Sequence, residues 1–278
     1  MRLVETSRSV QTNEGVISPR VLETEIRYPA LGAAGTGEHP NAAPAVASGP
    51  FPLIIFGHGF ALTPAYYARL LDFWTREGYV VAAPIFPGEN ENAPGGPDRA
   101  DLVNEPGDMK FLISWMVNQD SDPESPFRDL IEPDEIAVSG HSDGGDTALQ
   151  VAYSPQFRDP LVKAAAILSG AFGVPYFSPF SFPSGGPPLL ATQGTDDEIN
   201  RPSETNEYFS AAPAPKYLLE LIGASHLTPY TYEEPQLEVV EHVTVDFFNT
   251  YLKHEQGALH QMEEAGSLQG VANMQADP

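Results

Sequence analysis

Residues 138–145, which read VSGHSDGG, constrain the fold more than any other part of the chain. They contain the pattern G-x-S-x-G between a short apolar run and a run of small residues at helical spacing. Glycines at positions 140 and 144 let the backbone turn sharply from a strand into a helix without Cβ clashes. The pattern therefore predicts a nucleophile elbow that presents the Ser142 hydroxyl at the top of a sheet. The alternative is an ordinary turn whose serine caps the helix.

The rest of the chain alternates short apolar runs with amphipathic segments. The apolar runs predict buried strands at 53–56, 79–83, 136–138, 164–168, 189–193 and 216–221. A strand, a helix and a second strand in succession indicate a parallel pair with a right-handed crossover. We therefore predict an α/β fold with a mostly parallel central sheet and helices on both faces.

One large domain accounts for most of the chain. Hydrophobic residues make up 41% of the 278 residues, which is enough for a single core. We assign residues 1–254 to this domain, with an N-terminal edge strand at about 20–28. Residues 30–52 predict a surface loop, and the polar segment 255–278 predicts a loosely packed extension.

The sequence allows two alternative roles for each of two long loops. Residues 84–106 are rich in acidic side chains and predict a solvated loop, with a calcium site as the alternative. Residues 171–188 contain many aromatic side chains among prolines and glycines. These aromatic residues predict either an apolar wall over an active site or a satellite core beneath the loop. The candidates for a substrate pocket are Phe172, Tyr176, Phe177 and Tyr66.

Charge and composition exclude several classes of partner. A formal net charge of −24 opposes binding to nucleic acid and to anionic membrane surfaces. The chain has no cysteine, which excludes disulfides and a thiolate nucleophile. No apolar run approaches the ~20 residues of a membrane helix. We expect a soluble protein without membrane insertion, cytoplasmic in preference to secreted with its signal peptide removed, and the sequence leaves its oligomeric state open.

A serine nucleophile needs a general base and a carboxylate that orients the base. His226 follows the predicted strand 216–221, and Asp197 follows the predicted strand 189–193. The order Ser, Asp, His beyond the ends of parallel strands is typical of an α/β-hydrolase sheet. Ser142, Asp197 and His226 are therefore the predicted triad, with Asp196 as the alternative acid.

An oxyanion intermediate needs two backbone donors. The N–H of Asp143 follows the nucleophile at a helix start, where the helix dipole assists it. The N–H of Phe60 is presented by the glycine-rich loop 57–60. Because a negative side chain beside the oxyanion would oppose its charge, we expect the Asp143 side chain to point into solvent.

These residues resemble the α/β-hydrolases, and more narrowly the serine esterases grouped with chlorophyllases, platelet-activating-factor acetylhydrolases and dienelactone-hydrolase-like proteins. The resemblance rests on residues 57–60, 67–71, 78–84 and 140–148, and it extends from about 20 to 252. It implies ester hydrolysis through an acyl-enzyme, with Ser142 as nucleophile, His226 as base then acid, and Asp197 as orienter. The chain departs from dienelactone hydrolases in lacking cysteine, and from chlorophyllases in the acidic Asp143.

The leading hypothesis is a serine carboxylesterase for small to medium apolar esters, with a small-molecule ester as its partner. A cutinase-like polyester hydrolase is the second hypothesis. The third is a catalytically silent α/β-hydrolase fold that binds a ligand or partner. We expect no cofactor and no catalytic metal, since no histidine pair has the H-E-x-x-H spacing.

Overall fold

The computed structural model describes residues 1–32, 35 and 37–278. The strands are β1 (Arg2–Gln11), β2 (Ile17–Arg27), β3 (Phe51–Gly57), β4 (Val80–Ile85), β5 (Ile131–His141), β6 (Val162–Leu168), β7 (Leu189–Gly194), β8 (Lys216–Leu221) and β9 (Ala272–Asp277). They form one sheet in the order β1-β2-β4-β3-β5-β6-β7-β8-β9. The six strands from β4 to β8 in this order are parallel, whereas β1, β2 and β9 pair antiparallel with their neighbours.

Helices cover both faces of the sheet. They are α1 (Ala68–Arg76), α2 (Glu105–Ser121), α3 (Asp143–Tyr153), α4 (Pro202–Ala211), α5 (Gln236–Tyr251) and α6 (Ala258–Ala265). Apolar side chains of α2, α3 and α4 pack in the core on one face, and those of α1, α5 and α6 pack in the core on the other. The predicted fold class, a mostly parallel sheet with helices on both faces, is confirmed. Of these helices, α4 and α6 had no counterpart in the prediction.

The edge of the sheet differs from the prediction. The predicted edge strand at 20–28 corresponds to β2, which lies between β1 and β4 inside the sheet. The edge belongs to β1, of which only Leu3 and Val10 are buried. A strand that exposes most of its side chains carries little hydrophobic signal, which is why the sequence pattern did not reveal it.

The segment from residue 255 is not a loosely packed extension. It contains α6, whose Met262 is fully buried, and β9, which pairs with β8 from Leu221 opposite Ala272 to Lys216 opposite Asp277. Its polar composition misled the prediction because β9 is an edge strand and α6 buries only Ala258 and Met262. Both elements complete the sheet and one of its cores.

The predicted loop 30–52 contains a single turn of 3-10 helix, Val46–Ser48, and an isolated bridge between Ala30 and Pro44. Positions 33, 34 and 36 of this predicted loop lie outside the described residues. Among the helices in the described part of the chain, none is long and apolar enough to cross a membrane.

Candidate active site

The elbow forms where β5 ends and α3 begins. Ser142 lies between them with φ 56° and ψ −125°, a strained conformation for a residue with a side chain. A Cβ atom on Gly140 would lie 2.2 Å from the Gly144 carbonyl oxygen, and one on Gly144 would lie 2.2 Å from that of Gly57. Only glycine fits at both positions, because the turn packs directly on itself and on the end of β3.

The structure brings the three predicted triad side chains together. Ser142 Oγ lies 2.9 Å from Nε2 of His226. Nδ1 of the same ring lies 2.7 Å from Oδ2 of Asp197. Asp196, the alternative acid, is exposed and directs its carboxylate elsewhere. A hydroxyl, an imidazole and a buried carboxylate in this order can activate the hydroxyl as a nucleophile.

The Asp197 carboxylate is held by several donors besides His226. Its Oδ1 accepts hydrogen bonds from the Ile199 and Asn200 N–H groups at 2.9 and 3.0 Å, and its Oδ2 accepts one from Gln193 Nε2 at 3.2 Å. Burial raises the pKa of Asp197, but its hydrogen bonds and the His226 ring outweigh burial and leave it below the ordinary value. The group is therefore fixed as an anion behind the imidazole.

Both predicted oxyanion donors border the nucleophile. Asp143 is the first residue of α3, so its N–H has no partner within the helix. Phe60 follows Gly59, on which a Cβ would lie 3.1 Å from the Ser142 Cβ. No acceptor in the described part of the chain takes a hydrogen bond from the Phe60 N–H. The two donors are thus available on either side of the serine.

His58 fixes the loop that presents Phe60. Its Nδ1 donates to the Gly59 carbonyl oxygen at 2.9 Å, and its Nε2 accepts from the Phe86 N–H at 3.0 Å. Burial lowers the pKa of His58 to about 4, which keeps the ring neutral and able to make both bonds. His58 therefore supports the loop, and its ring does not face the serine as a base would.

A second set of hydrogen bonds supports this loop, and it was not predicted from the sequence. The Gly59 N–H donates to the Tyr67 hydroxyl oxygen at 3.3 Å, and that hydroxyl donates to His141 Nδ1 at 2.7 Å. His141 Nε2 in turn donates to the His226 carbonyl oxygen at 2.8 Å. Burial lowers the pKa of His141 to about 3, so the ring stays neutral. This chain of hydrogen bonds connects the loop of Phe60 to the loop of His226.

The charge of Asp143 predicted that its side chain points into solvent. The structure shows instead that the side chain is buried. It is 1% exposed and pairs with Arg99, whose Nε and Nη2 donate to its two oxygens at 2.7 and 2.5 Å. The guanidinium supplies the compensating charge that the prediction assigned to water. Arg99 lies 44 residues earlier, at the start of a short 3-10 helix (Arg99–Asn104) within a sequence segment without periodicity, and so no sequence signal linked the two.

The acidic loop 84–106 is not simply solvated. Glu89 and Glu105 are fully buried behind the elbow, and Asp101 is buried against Arg20. Glu91 remains exposed and accepts a hydrogen bond from Tyr66. In the described part of the chain, no group of three histidine or acidic side chains is arranged to hold a metal ion.

The predicted pocket residues have varied surroundings. Phe172 packs at 5.1 and 5.7 Å from Phe180 and Phe182, and the buried Phe177 packs at 6.2 Å from Phe157. These contacts favour the satellite-core alternative for Phe172 and Phe177. Tyr176 is half-buried, and Tyr66 is 44% exposed. None of the hydrogen bonds or ring contacts of these four residues involves Ser142, His226 or Asp197.

Comparisons with known proteins show similarity to chlorophyllases over part of the chain. The chlorophyllase family model matches residues 41–169, which contain the loop 57–60 and the elbow. Chlorophyllase-2 of Arabidopsis thaliana is 27% identical over 38% of this chain and 31% of its own length. Chlorophyllase-1 of the same plant is 28% identical over 44% of this chain and 35% of its own length.

The chain thus spans about a third of the length of these curated relatives. The family match ends before Asp197 and His226, and so it covers the nucleophile side of the site alone. Together with the sheet order, the matches identify the chain as an α/β-hydrolase by fold that resembles the chlorophyllase branch of the superfamily's esterases.

Proposed function

We propose that this protein is a serine carboxylesterase that hydrolyses small to medium apolar carboxylic esters through an acyl-enzyme. The observation that carries the proposal is the hydrogen-bonded line from Ser142 through His226 to the buried Asp197, with distances of 2.9 and 2.7 Å. This geometry lets one imidazole accept the serine proton while its other nitrogen stays bonded to an anion.

Acylation begins when Ser142 Oγ attacks the ester carbonyl carbon and passes its proton to His226 Nε2. The carbonyl oxygen becomes an oxyanion that accepts hydrogen bonds from the N–H groups of Phe60 and Asp143. Collapse of this intermediate breaks the bond to the alcohol, which leaves with the proton from His226. Water then repeats the sequence on the acyl-serine and releases the acid.

Exposed apolar side chains at or close in sequence to the predicted site residues support apolar substrates. Phe60 is 40% exposed, and Ile199, two residues after Asp197, is 69% exposed. Exposed apolar side chains of this size offer contact area to an acyl or alcohol group. The net charge of −24 acts against anionic esters at the encounter.

A series of p-nitrophenyl esters of increasing acyl length tests the proposal. We expect hydrolysis by the parent protein and a fall in kcat of about 10⁴-fold or more in Ser142→Ala, since the nucleophile is lost. A fluorophosphonate probe should label the parent and not this variant. An unlabelled, inactive parent would favour a silent fold used for binding, and a fully active Ser142→Ala would exclude Ser142 as nucleophile.

The same exposed side chains support a cutinase-like polyester hydrolase as second candidate. Phe60 and Ile199 are exposed apolar side chains, which could contact a chain segment at a polymer surface. Release of soluble products from an aromatic polyester film would support this candidate. No release, beside rapid turnover of small esters, would remove it.

A further inference from the structure

Four carboxyl groups are buried directly behind the oxyanion hole. Glu89, Glu105, Asp143 and Asp146, which we call the acid cluster, are each at most 1% exposed. Arg99 is the cation paired with them, and it binds Asp143 through two hydrogen bonds. Four buried negative charges beside one positive charge would be strongly destabilising, and so part of the cluster must be protonated.

The pattern of partners indicates where the protons lie. No N–H or hydroxyl group in the described part of the chain reaches either carboxyl oxygen of Glu89. Its polar neighbours are instead the carboxyl groups of Glu105 and Asp143, and two carboxyl groups can form a hydrogen bond only when one of them carries a proton. Thr147 donates to Glu105 Oε2 at 2.9 Å, which leaves Glu105 Oε1 to carry a proton. The bonds then run in one direction, from Glu105 to Glu89 and from Glu89 to the Asp143 carboxylate.

Burial sets this protonation state. Burial and the nearby negative Asp143 raise the pKa of Glu89, Glu105 and Arg99 lower it, and the net value is about 8. Burial also raises the pKa of Glu105 and of Asp146 well above their ordinary values. At neutral pH the Arg99 guanidinium therefore compensates the Asp143 charge, and the protonated Glu89 adds no negative charge to the cluster.

The cluster also holds the backbone around the oxyanion hole. The Glu89 carbonyl oxygen accepts a hydrogen bond from the Ala61 N–H at 2.8 Å. Ala61 directly follows Phe60 and has φ 57°, a conformation that needs external support. Asp146 Oδ1 accepts from the Ala171 N–H at 2.6 Å, where the aromatic-rich loop begins. Displacement of Glu89 would therefore move one donor, and displacement of Asp143 would move the other.

We propose that Glu89 and Arg99 are positioning residues for the oxyanion hole, and that release of the Glu89 proton makes the hole unfavourable for the oxyanion. This inference rests on the proposed esterase function. The Arg99 guanidinium neutralises the side chain of Asp143, the residue whose N–H stabilises the intermediate, and the neutral Glu89 carboxylic acid can donate a hydrogen bond to that side chain. Without either one, an uncompensated negative charge lies beside the developing oxyanion.

The sign of the pH dependence follows from the groups that face Glu89. These are Glu105 on α2, Asp143 and Asp146 on α3, and Arg99 in the segment directly before α2. As the pH rises through about 8, Glu89 loses its proton and the cluster gains a negative charge. The effect acts on the transition state, and so kcat should fall on the alkaline side while KM changes little.

The first test is the pH profile of p-nitrophenyl butyrate hydrolysis in the parent, Glu89→Gln and Glu241→Gln. In the parent we expect kcat to fall up to about tenfold for each pH unit above about 8. Glu89→Gln retains a donor to Asp143 but cannot ionise, and so it should lack this fall. Glu241, on α5 and paired with Arg69, is a buried glutamate with a raised pKa outside the acid cluster, and its variant should keep the parent's profile.

The second test removes the cation. Arg99→Gln should lower kcat by about 10- to 100-fold with little change in KM, because Asp143 remains charged beside the oxyanion. The double variant Arg99→Gln/Asp143→Asn should recover most of that loss, since the charge is removed while the Asp143 backbone N–H stays. Circular dichroism and thermal unfolding verify that each variant is folded.

The outcomes separate the two levels of the proposal. An active parent whose alkaline fall persists in Glu89→Gln, or a double variant no faster than Arg99→Gln, overturns the positioning role and leaves the esterase function intact. A parent that neither hydrolyses the ester nor reacts with a fluorophosphonate overturns the esterase function, and the positioning role with it.

Discussion

At the scale of single residues, the site depends on neutral buried groups that hold the reactive ones in place. Tyr67 accepts a hydrogen bond from Gly59 and donates one to His141, which donates to the His226 backbone. The loop of the oxyanion hole and the loop of the base are therefore joined through one hydroxyl. Because Tyr67 is fully buried, no water can replace that hydroxyl without rearrangement.

Tyr67→Phe should lower kcat by about 5- to 20-fold, because it leaves the Gly59 N–H and His141 Nδ1 without partners and loosens both loops. Tyr79→Phe is the matched control, because Tyr79 is also buried and also loses a hydrogen bond, the one to Asn249, but it lies just before β4, at the amino end of the parallel strands. We expect both variants to lose about 1–2 kcal/mol of unfolding free energy in urea. Equal kcat values in the two variants would contradict a role for Tyr67 in the site.

The residues of the predicted triad follow from their places after strand ends, but their neighbours do not. His226 and Asp197 could be chosen from the sequence because each follows an apolar run that predicts a strand. The Asp143 side chain was assigned to solvent because its charge would oppose the oxyanion, and the sequence gives no sign that Arg99 reaches it. Side chains from aperiodic loops are brought to the site by tertiary packing, which local patterns do not encode.

At the scale of elements, the strands that are buried on both faces were predicted from the sequence, and the more exposed elements were not. The strands β3 to β8 are buried on both faces and read as apolar runs, so their places were predicted. The outer strands β1 and β9 have mostly exposed or half-buried side chains, and their sequences look like polar termini. Helix α4 begins at Pro202 and buries only Thr205, Tyr208 and Phe209, too few for a clear helical period.

The packing of the C-terminal elements predicts a measurable stability effect. Met262 on α6 is fully buried in the core that also contains α1 and α5. Met262→Ala should therefore lower the unfolding free energy by about 2–4 kcal/mol, through lost burial and the cavity left behind. Leu268→Ala in the same segment should change it by less than about 0.5 kcal/mol, since Leu268 is 46% exposed.

Urea unfolding at neutral pH measures both variants. A change in the midpoint with an unchanged slope would assign the effect to stability rather than to a different unfolded state. If Met262→Ala were as stable as Leu268→Ala, α6 would not be part of the cooperative core. The loosely packed extension expected from composition would then describe the segment better.

At the scale of the whole molecule, buried and exposed charges act differently. Arg20 is fully buried, with two hydrogen bonds to Asp101 and two to Asp108, and it joins β2 to the acidic loop and to α2. Salt barely screens such a buried network. The excess of acidic groups, 38 against 14 lysines and arginines, lies largely at the surface, where like charges repel one another in the compact state.

The folded protein should therefore become more stable as salt is added. Screening acts on the surface repulsion, whose range falls to about 10 Å at about 0.1 M salt, and it leaves the buried pairs intact. Between about 0.02 M and about 0.5 M NaCl we expect a gain of about 1–2 kcal/mol, which raises Tm by roughly 3–6 °C. Tetramethylammonium chloride at equal ionic strength should give the same rise, because screening depends on ionic strength and not on the cation. A flat or falling Tm would mean that the net charge of −24 does not limit stability, and a rise confined to one cation would indicate specific binding.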